Sequence, residues 1–343
     1  MRRVVVDLRS RSKAFCMPAA TAQAIVAATP AGWETKIVAA ETDSFGDGAQ
    51  QPSRESIAAI ADAEVYFGYG MPKPLYFAAK KLKWTHTATA GVASLLFPEM
   101  VASDVQITNS AGVYGPPIAE HVLGGVLHFL RGFDVAATQQ RAGVWDSTPW
   151  GTASTLVREL AECCVVIVGA GGIGSELSRR FGALGATVIT VRRDPSKGLP
   201  PGSSRVVGPE AFDSVVREAD VLVLATPLTP QTMTLLNADR IARLPQGAIV
   251  CNVSRGRLVD EGALTAALQS GRVRGAVLDV FAAEPLAAAS PLWQLPNVLH
   301  TPHVSGVSPR LFWVRLTDLF LDNLRRWRDG APLRNLVDKR VGY

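Results

Sequence analysis

Ten residues in the middle of the chain, Val165-Val166-Ile167-Val168-Gly169-Ala170-Gly171-Gly172-Ile173-Gly174, leave it few folds to adopt. The run Val165 to Val168 is wholly β-branched, the pattern of a strand buried on both faces in a parallel sheet. The glycines lead into a helical stretch from Ser175 to Ala183, and a second apolar strand follows at Thr187 to Val191. Strand, Gly-x-Gly-x-x-Gly turn, helix and strand form a unit with its own chemistry. Gly169 allows the tight turn, Gly171 lets the backbone approach a pyrophosphate, and Gly174 permits close helix packing. The helix N-terminus offers unpaired N–H groups to the anion, with Gly172 and Ile173 as further cofactor contacts in the turn before it. The segment therefore reads as a dinucleotide-binding turn.

The same alternation fills the rest of the chain. Strands are expected at Arg3 to Leu8, Lys36 to Ala39, Val65 to Phe67 and Trp84 to Thr87, with helical patterns at Thr21 to Ala28, Ser53 to Ile60 and Pro74 to Lys80. Asn109 to Pro117, with two glycines and two prolines, is a break before a long apolar helix from Ile118 to Arg131. Further strands follow at Val221 to Ala225, Ala248 to Val253, Ala276 to Val280 and Asn297 to Thr301. Pro309 to Trp327 then carries apolar residues at helical spacing. With 343 residues, two domains are the natural expectation. The fold class is α/β: two Rossmann-like or flavodoxin-like lobes with parallel sheets and an active-site cleft between them. Residues 1–108 plus 302–343 form the substrate-binding lobe and 109–301 the dinucleotide-binding lobe.

Composition excludes several classes of protein. Apolar residues at 48% and charged residues at 19% argue for a chain folded throughout. Its apolar runs are far shorter than the roughly 20 residues of a membrane span, and Asp7 interrupts what a signal peptide would need as an apolar region. A cytoplasmic protein without a membrane partner is expected. Cys16, Cys163, Cys164 and Cys251 lack metal-ligand spacing, so no metal is expected and the thiols read as reduced. The net charge of +5 sits in short, scattered clusters without interleaved aromatics, so no nucleic-acid partner is expected.

The strand ending at Val191 delivers the next side chain to the adenosine ribose of a bound dinucleotide, where an acid would accept from the ribose hydroxyls. This chain has Arg192-Arg193 there, with Asp194 behind. Arginine can clamp a 2′-phosphate with a forked, charge-assisted bond, so NADP(H) is expected in preference to NAD(H). The competing reading is two solvated arginines with Asp194 on the ribose.

Three long segments resemble the D-isomer-specific 2-hydroxyacid dehydrogenase family: Leu244 to Asp260, containing Ser254-Arg255-Gly256-Arg257-Leu258-Val259-Asp260; Leu278-Asp279-Val280-Phe281-Ala282-Ala283-Glu284-Pro285; and Thr301-Pro302-His303-Val304-Ser305-Gly306. They occur in family order after the glycine turn. Asn109 to Tyr114 and Ala119-Glu120-His121 are similar to the family's domain crossover, while residues 1–80 share only its rhythm. The resemblance implies Arg255, Glu284 and His303 as the catalytic set, Thr226, Pro227 and Asp279 as further cofactor contacts, and a homodimer. It also implies that Ala90, Gly91 and Val92, in the loop from Ala88, receive the substrate carboxylate through backbone N–H groups, beside Arg255.

The chemistry of the trio stands on its own terms. Hydride delivery to a ketone carbon leaves charge on oxygen, and imidazolium is the proton donor whose pKa lies nearest neutrality, the role of His303. A carboxylate partner, Glu284, would orient the ring and favour its charged form. Arg255 offers two parallel donors to a carboxylate and the neighbouring carbonyl. Read singly, each has an ordinary structural role; together, at strand ends where open α/β sheets put ligands, they favour catalysis. His86, His121, His128 and His300 read as structural, and Trp145 and Trp150 as buried anchors outside the site, ahead of a reach into a neighbouring subunit's site. The expected activity is NADPH-dependent reduction of glyoxylate, hydroxypyruvate or a related small 2-oxo acid. Its rivals are a phosphoglycerate dehydrogenase-like enzyme, a formate dehydrogenase, against which Glu284 argues because the formate enzymes carry glutamine, and a nucleotide-sensing corepressor-like binding protein.

Overall fold

The computed structural model describes residues 2–41, 51–152 and 157–342. Among them, two parallel sheets lie in two compact units, residues 1–114 with 307–343, and residues 115–306.

In the first unit, β1 (Arg2–Asp7), β2 (Trp33–Ile37), β3 (Val65–Gly68), β4 (Trp84–Thr87) and β5 (Gln106–Thr108) pair in the order β2-β1-β3-β4-β5. This is the flavodoxin-like order of a doubly wound sheet. Strand periodicity divides its side chains between two cores. Val4, Val6, Leu8, Val65 and Phe67 pack with Ile25 of the helix Ala19–Ala28 and with Phe312, Leu316 and Phe320 of the helix Pro309–Asp329. On the other face, Val5, Tyr66 and Ile107 meet Ile60 and Leu75.

In the second unit, β6 (Cys164–Val168), β7 (Thr187–Val191), β8 (Arg205–Val207), β9 (Val221–Leu224), β10 (Ala248–Asn252), β11 (Val273–Leu278) and β12 (Val298–His300) pair in the order β12-β11-β10-β9-β6-β7-β8. That is the Rossmann order extended by one strand, with the switch point beside β6. Buried residues at nearly every position of β6, β9, β10 and β11 account for their continuous apolar sequences.

The expected strands and helices form, with some shifts. β2 covers Trp33–Ile37 where Lys36 to Ala39 was expected. It is an edge strand paired only to β1 and mostly half-buried, so its apolar signal is weak. The long helix begins at Gly115, earlier than the expected Ile118, because prolines at the first helical positions lack only N–H groups that have no partner there. β5 and β8, three residues each, and the helix Phe133–Ala142 had no expectation. That helix has no buried residue, hence no apolar stripe to read.

Candidate active site

The glycine turn joins β6 to the helix Gly172–Ala183 at the switch point of the seven-stranded sheet. Gly169 has φ +112°, and a Cβ there would lie 2.3 Å from the Ala225 carbonyl oxygen at the end of β9. A Cβ on Gly174 would lie 1.8 Å from the Gly169 carbonyl oxygen. Both positions exclude any larger residue. Gly171, the N-cap, has no atom within 4 Å of where its Cβ would be, so the space above the helix N-terminus stays open beside Gly172 and Ile173. This cradle fits a pyrophosphate held by backbone N–H groups. Thr226 and Pro227 follow β9, their carbonyls tied by the hydroxyls of Ser254 and Thr232.

At the end of β7, the Arg192 backbone donates to Val207 of β8, and its guanidinium donates to the Gly198 carbonyl at 3.0 Å. Arg193 is exposed. Asp194 is committed elsewhere: it caps the short turn Pro195–Lys197, accepting from both the Ser196 N–H and hydroxyl, and the Ser196 hydroxyl holds its carboxyl below the usual aspartate range.

Arg255, Glu284 and His303 follow β10, β11 and β12, three adjacent strands, and so gather along one edge of the sheet. Arg255 is set by Asn252, whose Nδ2 donates to the Arg255 carbonyl at 2.9 Å while its Oδ1 accepts the Ser254 N–H. The guanidinium donates to the Ser254 carbonyl at 2.8 Å. Glu284 is held from both oxygens: Oε1 accepts the Phe281 N–H at 3.0 Å, and Oε2 lies 2.8 Å from His303 Nδ1. An ionised carboxylate only accepts, so Nδ1 carries a hydrogen in this pair and Nε2 is left for a substrate oxygen. Both side chains are about one-third exposed, which leaves the dyad open to a ligand.

His303 has φ +56°, an unusual conformation for a residue with a side chain. Buried Asp279 holds it there. Asp279 Oδ1 accepts the Thr301 hydroxyl and the Val304 N–H, Oδ2 accepts the Ser305 N–H, and the Asp279 carbonyl accepts the His303 N–H at 2.9 Å. Asp279, expected as a cofactor contact, thus spends most of its acceptors on the loop that presents the histidine. Gly256 is a residue that sequence reading passed over as part of a motif. A Cβ there would sit 1.9 Å from the Phe281 carbonyl carbon, so the turn of Arg255 rests directly on the backbone leading to Glu284.

In the other unit, Ala90, Gly91 and Val92 follow β4 at the carboxyl edge of the five-stranded sheet. Ala90 is exposed, Gly91 half-buried and Val92 buried. His86, on the same strand, is a core residue, as its sequence reading held. It is enclosed by Phe67, Trp84 and Phe320 with Nδ1 2.7 Å from Thr108 Oγ1, and burial pushes its pKa down to about 3. No helix among the described residues is long and apolar enough to cross a membrane. Nor do the described residues hold a group of three or more His, Cys, Asp or Glu able to bind a metal ion.

The cradle and the edge constellation together define a dehydrogenase of nucleotide-dependent type. Residues 123–305 match the family model of the D-isomer specific 2-hydroxyacid dehydrogenase NAD-binding domain, and the chain belongs to that family of oxidoreductases. Among its relatives is glyoxylate/hydroxypyruvate reductase A of Salmonella newport (strain SL254), 33% identical over 273 residues, covering 78% of this chain and 83% of the relative. A D-isomer specific 2-hydroxyacid dehydrogenase from Xanthobacter autotrophicus Py2, solved with NADPH and MES, superposes with a TM-score of 0.79 at 32% identity, over 99% of both chains. The NADPH-dependent glyoxylate/hydroxypyruvate reductase of Sinorhizobium meliloti, solved with NADP and sulfate, gives 0.78 at 27% identity over the full length of both.

Proposed function

We propose that this chain is a reductase of small 2-oxo acids, of the glyoxylate or hydroxypyruvate type, with NADPH preferred over NADH. The observation that carries the proposal is the His303–Glu284 pair at 2.8 Å, aligned with Arg255 on adjacent strand ends. A reduced nicotinamide, when bound, supplies the hydride to C2 of the substrate. Gly169, Gly171, Gly172, Ile173 and Gly174 would hold its pyrophosphate, with Thr226 and Pro227 beside them. His303 Nε2 then gives its proton to the carbonyl oxygen, and Glu284 keeps the ring oriented through Nδ1. Arg255 offers its fork to the substrate carboxylate, and in the first unit the backbone N–H groups of Ala90, Gly91 and Val92 are the proposed carboxylate receiver.

NADPH preference is supported by Arg192, half-buried at the end of β7, and by Asp194 being committed to Ser196. The relatives solved with NADPH or NADP agree with it. We assign the substrate to the unit of residues 1–114 with 307–343 and the dinucleotide to that of 115–306, bounds a few residues from the expected 1–108 with 302–343 and 109–301. A homodimer is supported by the helix Phe133–Ala142, which buries no residue of its own, and by Trp145 after it, which is fully exposed where a buried anchor was expected. Four free thiols suit a cytoplasmic enzyme.

The test is oxidation of NADPH and of NADH with a panel of glyoxylate, hydroxypyruvate, 3-phosphohydroxypyruvate and pyruvate. Turnover of the small unphosphorylated acids with NADPH is expected. Preference for the phosphorylated acid would favour the phosphoglycerate dehydrogenase-like reading. Tight cofactor binding without any turnover would favour a nucleotide sensor.

A further inference from the structure

The carbonyl oxygens of the turn after β4 are taken one by one. Ala88 O accepts the Tyr114 hydroxyl at 2.8 Å, and Thr89 O accepts the Ser110 N–H at 3.0 Å. Ala90 O accepts Asn109 Nδ2 at 2.8 Å, and Gly91 O accepts the Thr89 hydroxyl at 2.8 Å. A trans peptide is planar, so the C=O of one residue and the N–H of the next point in opposite directions. Donors that fix these four oxygens therefore also fix the N–H groups of Thr89, Ala90, Gly91 and Val92. The Thr89 N–H reaches Thr87 Oγ1 at 3.3 Å, whereas no acceptor among the described residues takes the other three.

The donors are themselves held in place. Asn109 Oδ1 accepts the Ala111 N–H, and Asn335, at φ +54°, donates Nδ2 to the carbonyls of Asn109 and Ala111 while its own carbonyl accepts the Asn109 N–H. Tyr114 lies against Phe312 with ring centroids 5.3 Å apart. Burial raises its pKa well above the ordinary tyrosine value, so its hydroxyl remains a donor.

We infer that Asn109, with Asn335 behind it, is a positioning residue that aims the Gly91 N–H, between those of Ala90 and Val92, at the carboxylate of a 2-oxo acid, and that Tyr114 anchors the peptide plane from which this turn starts. The inference rests on the proposed reading of that turn as the carboxylate receiver. Aligned in advance, three N–H groups give charge-assisted bonds without reorganisation when the anion arrives. Once a carbonyl is released, its peptide plane can rotate and the donor on its far side loses its aim.

The test compares the parent with Tyr114→Phe, Asn109→Ala and Asn335→Gly, the last keeping the positive φ while removing the amide donor. KM and kcat are measured for glyoxylate, and dissociation constants for NADPH and for oxamate in the presence of NADPH. Asn109→Ala should raise KM for glyoxylate and the oxamate constant about tenfold, as expected when a charge-assisted contact loses alignment, and Tyr114→Phe severalfold, because the plane it anchors lies one residue before the three donors. Asn335→Gly should raise both severalfold. NADPH affinity and kcat should change by less than about twofold. Should Asn109→Ala fail to fold, Tyr114→Phe and Asn335→Gly carry the test. Variants that lose thermal stability or kcat while the glyoxylate and oxamate constants stay put would reduce these residues to structural braces and overturn the inference. A parent that reduces glyoxylate yet binds oxamate no differently from folded variants overturns it alone. A parent that neither reduces glyoxylate nor binds oxamate removes the functional reading and the inference with it.

Discussion

Replacing Gly256 with alanine tests whether the three strand-end loops act as one unit. A Cβ at this position would lie 1.9 Å from the Phe281 carbonyl carbon, 2.0 Å from its oxygen and 2.4 Å from the Ala282 nitrogen. Each of these is a backbone atom that no rotamer change can move. Opening the closest gap from 1.9 to 3.0 Å, the shortest approach real Cβ atoms make, takes 1.1 Å of backbone movement. The displaced peptide is tied at both ends. Phe281 N donates to Glu284 Oε1 at 3.0 Å, and Ala282 N donates to Glu261 Oε2 at 3.1 Å. A shift of this size therefore reaches Glu284 and, through its other oxygen, His303. Misplacement of a catalytic group by about 1 Å costs on the order of a hundredfold in rate, and overpacking costs about 1 to 3 kcal/mol in stability. Steady-state kinetics with glyoxylate and NADPH, beside NADPH titration and thermal denaturation, separates the two effects. We expect kcat to fall between about thirtyfold and a hundredfold with NADPH affinity nearly unchanged, since the cofactor turn at Gly169 to Gly174 lies on a different strand. A folded Gly256→Ala enzyme with kcat within twofold of the parent would refute the coupling.

Three further outcomes are expected. Glu284→Gln keeps the shape of the dyad but removes the carboxylate that accepts from His303 Nδ1 at 2.8 Å and so fixes the ring; kcat with glyoxylate should fall about tenfold to a hundredfold with NADPH affinity nearly unchanged, and a kcat within twofold of the parent would remove Glu284 from this role. Arg192→Asp should weaken NADPH by on the order of 2 to 3 kcal/mol while sparing NADH, read as the ratio of kcat/KM for the two cofactors; a parent preferring NADH, or a ratio indifferent to the change, would return Arg192 to the solvated surface. His86, neutral in the fold with a pKa near 3 and ordinary when unfolded, lowers stability as pH falls from about 6.5 towards 3, because only the unfolded state takes up the proton in that window. His86→Phe should flatten that acid slope in denaturant midpoints measured from pH 7 to 4, and an unchanged slope would mean other groups set it.

The parts of the molecule legible in its sequence are those where a local pattern and a chemical demand coincide. The glycine turn is such a case: Gly169 and Gly174 seat a helix on a sheet while Gly171 between them leaves room for an anion, so sterics and function ask for glycine within one motif. The central strands β6, β9, β10 and β11 read well because both faces are buried and most positions are apolar. Short edge strands such as β5 and β8 carry no periodicity to read, and β2 slips because partial exposure blurs its boundary. Arg255, Glu284 and His303 could be named from motifs, but what holds them could not. The acceptors of Asp279 serve a loop 22 to 26 residues away, and Asn335 reaches Asn109 across 226 residues.

That division has a consequence for specificity. The residues proposed for hydride and proton transfer are crowded into turns whose backbones interlock, Gly256 against Phe281 and Asp279 against Thr301 to Ser305, so each tolerates little substitution. The unit carrying Ala90, Gly91 and Val92 is built differently. The carboxylate turn proposed there is backbone, fixed from behind by Asn109 and Tyr114, and backbone N–H groups recognise any carboxylate alike. Discrimination among 2-oxo acids must then come from side chains around that turn and not from the turn itself. Substitutions on neighbouring loops of the first unit should exchange one acid for another while leaving the pH profile and the NADPH-to-NADH ratio where they were, because neither His303 nor Arg192 belongs to that unit.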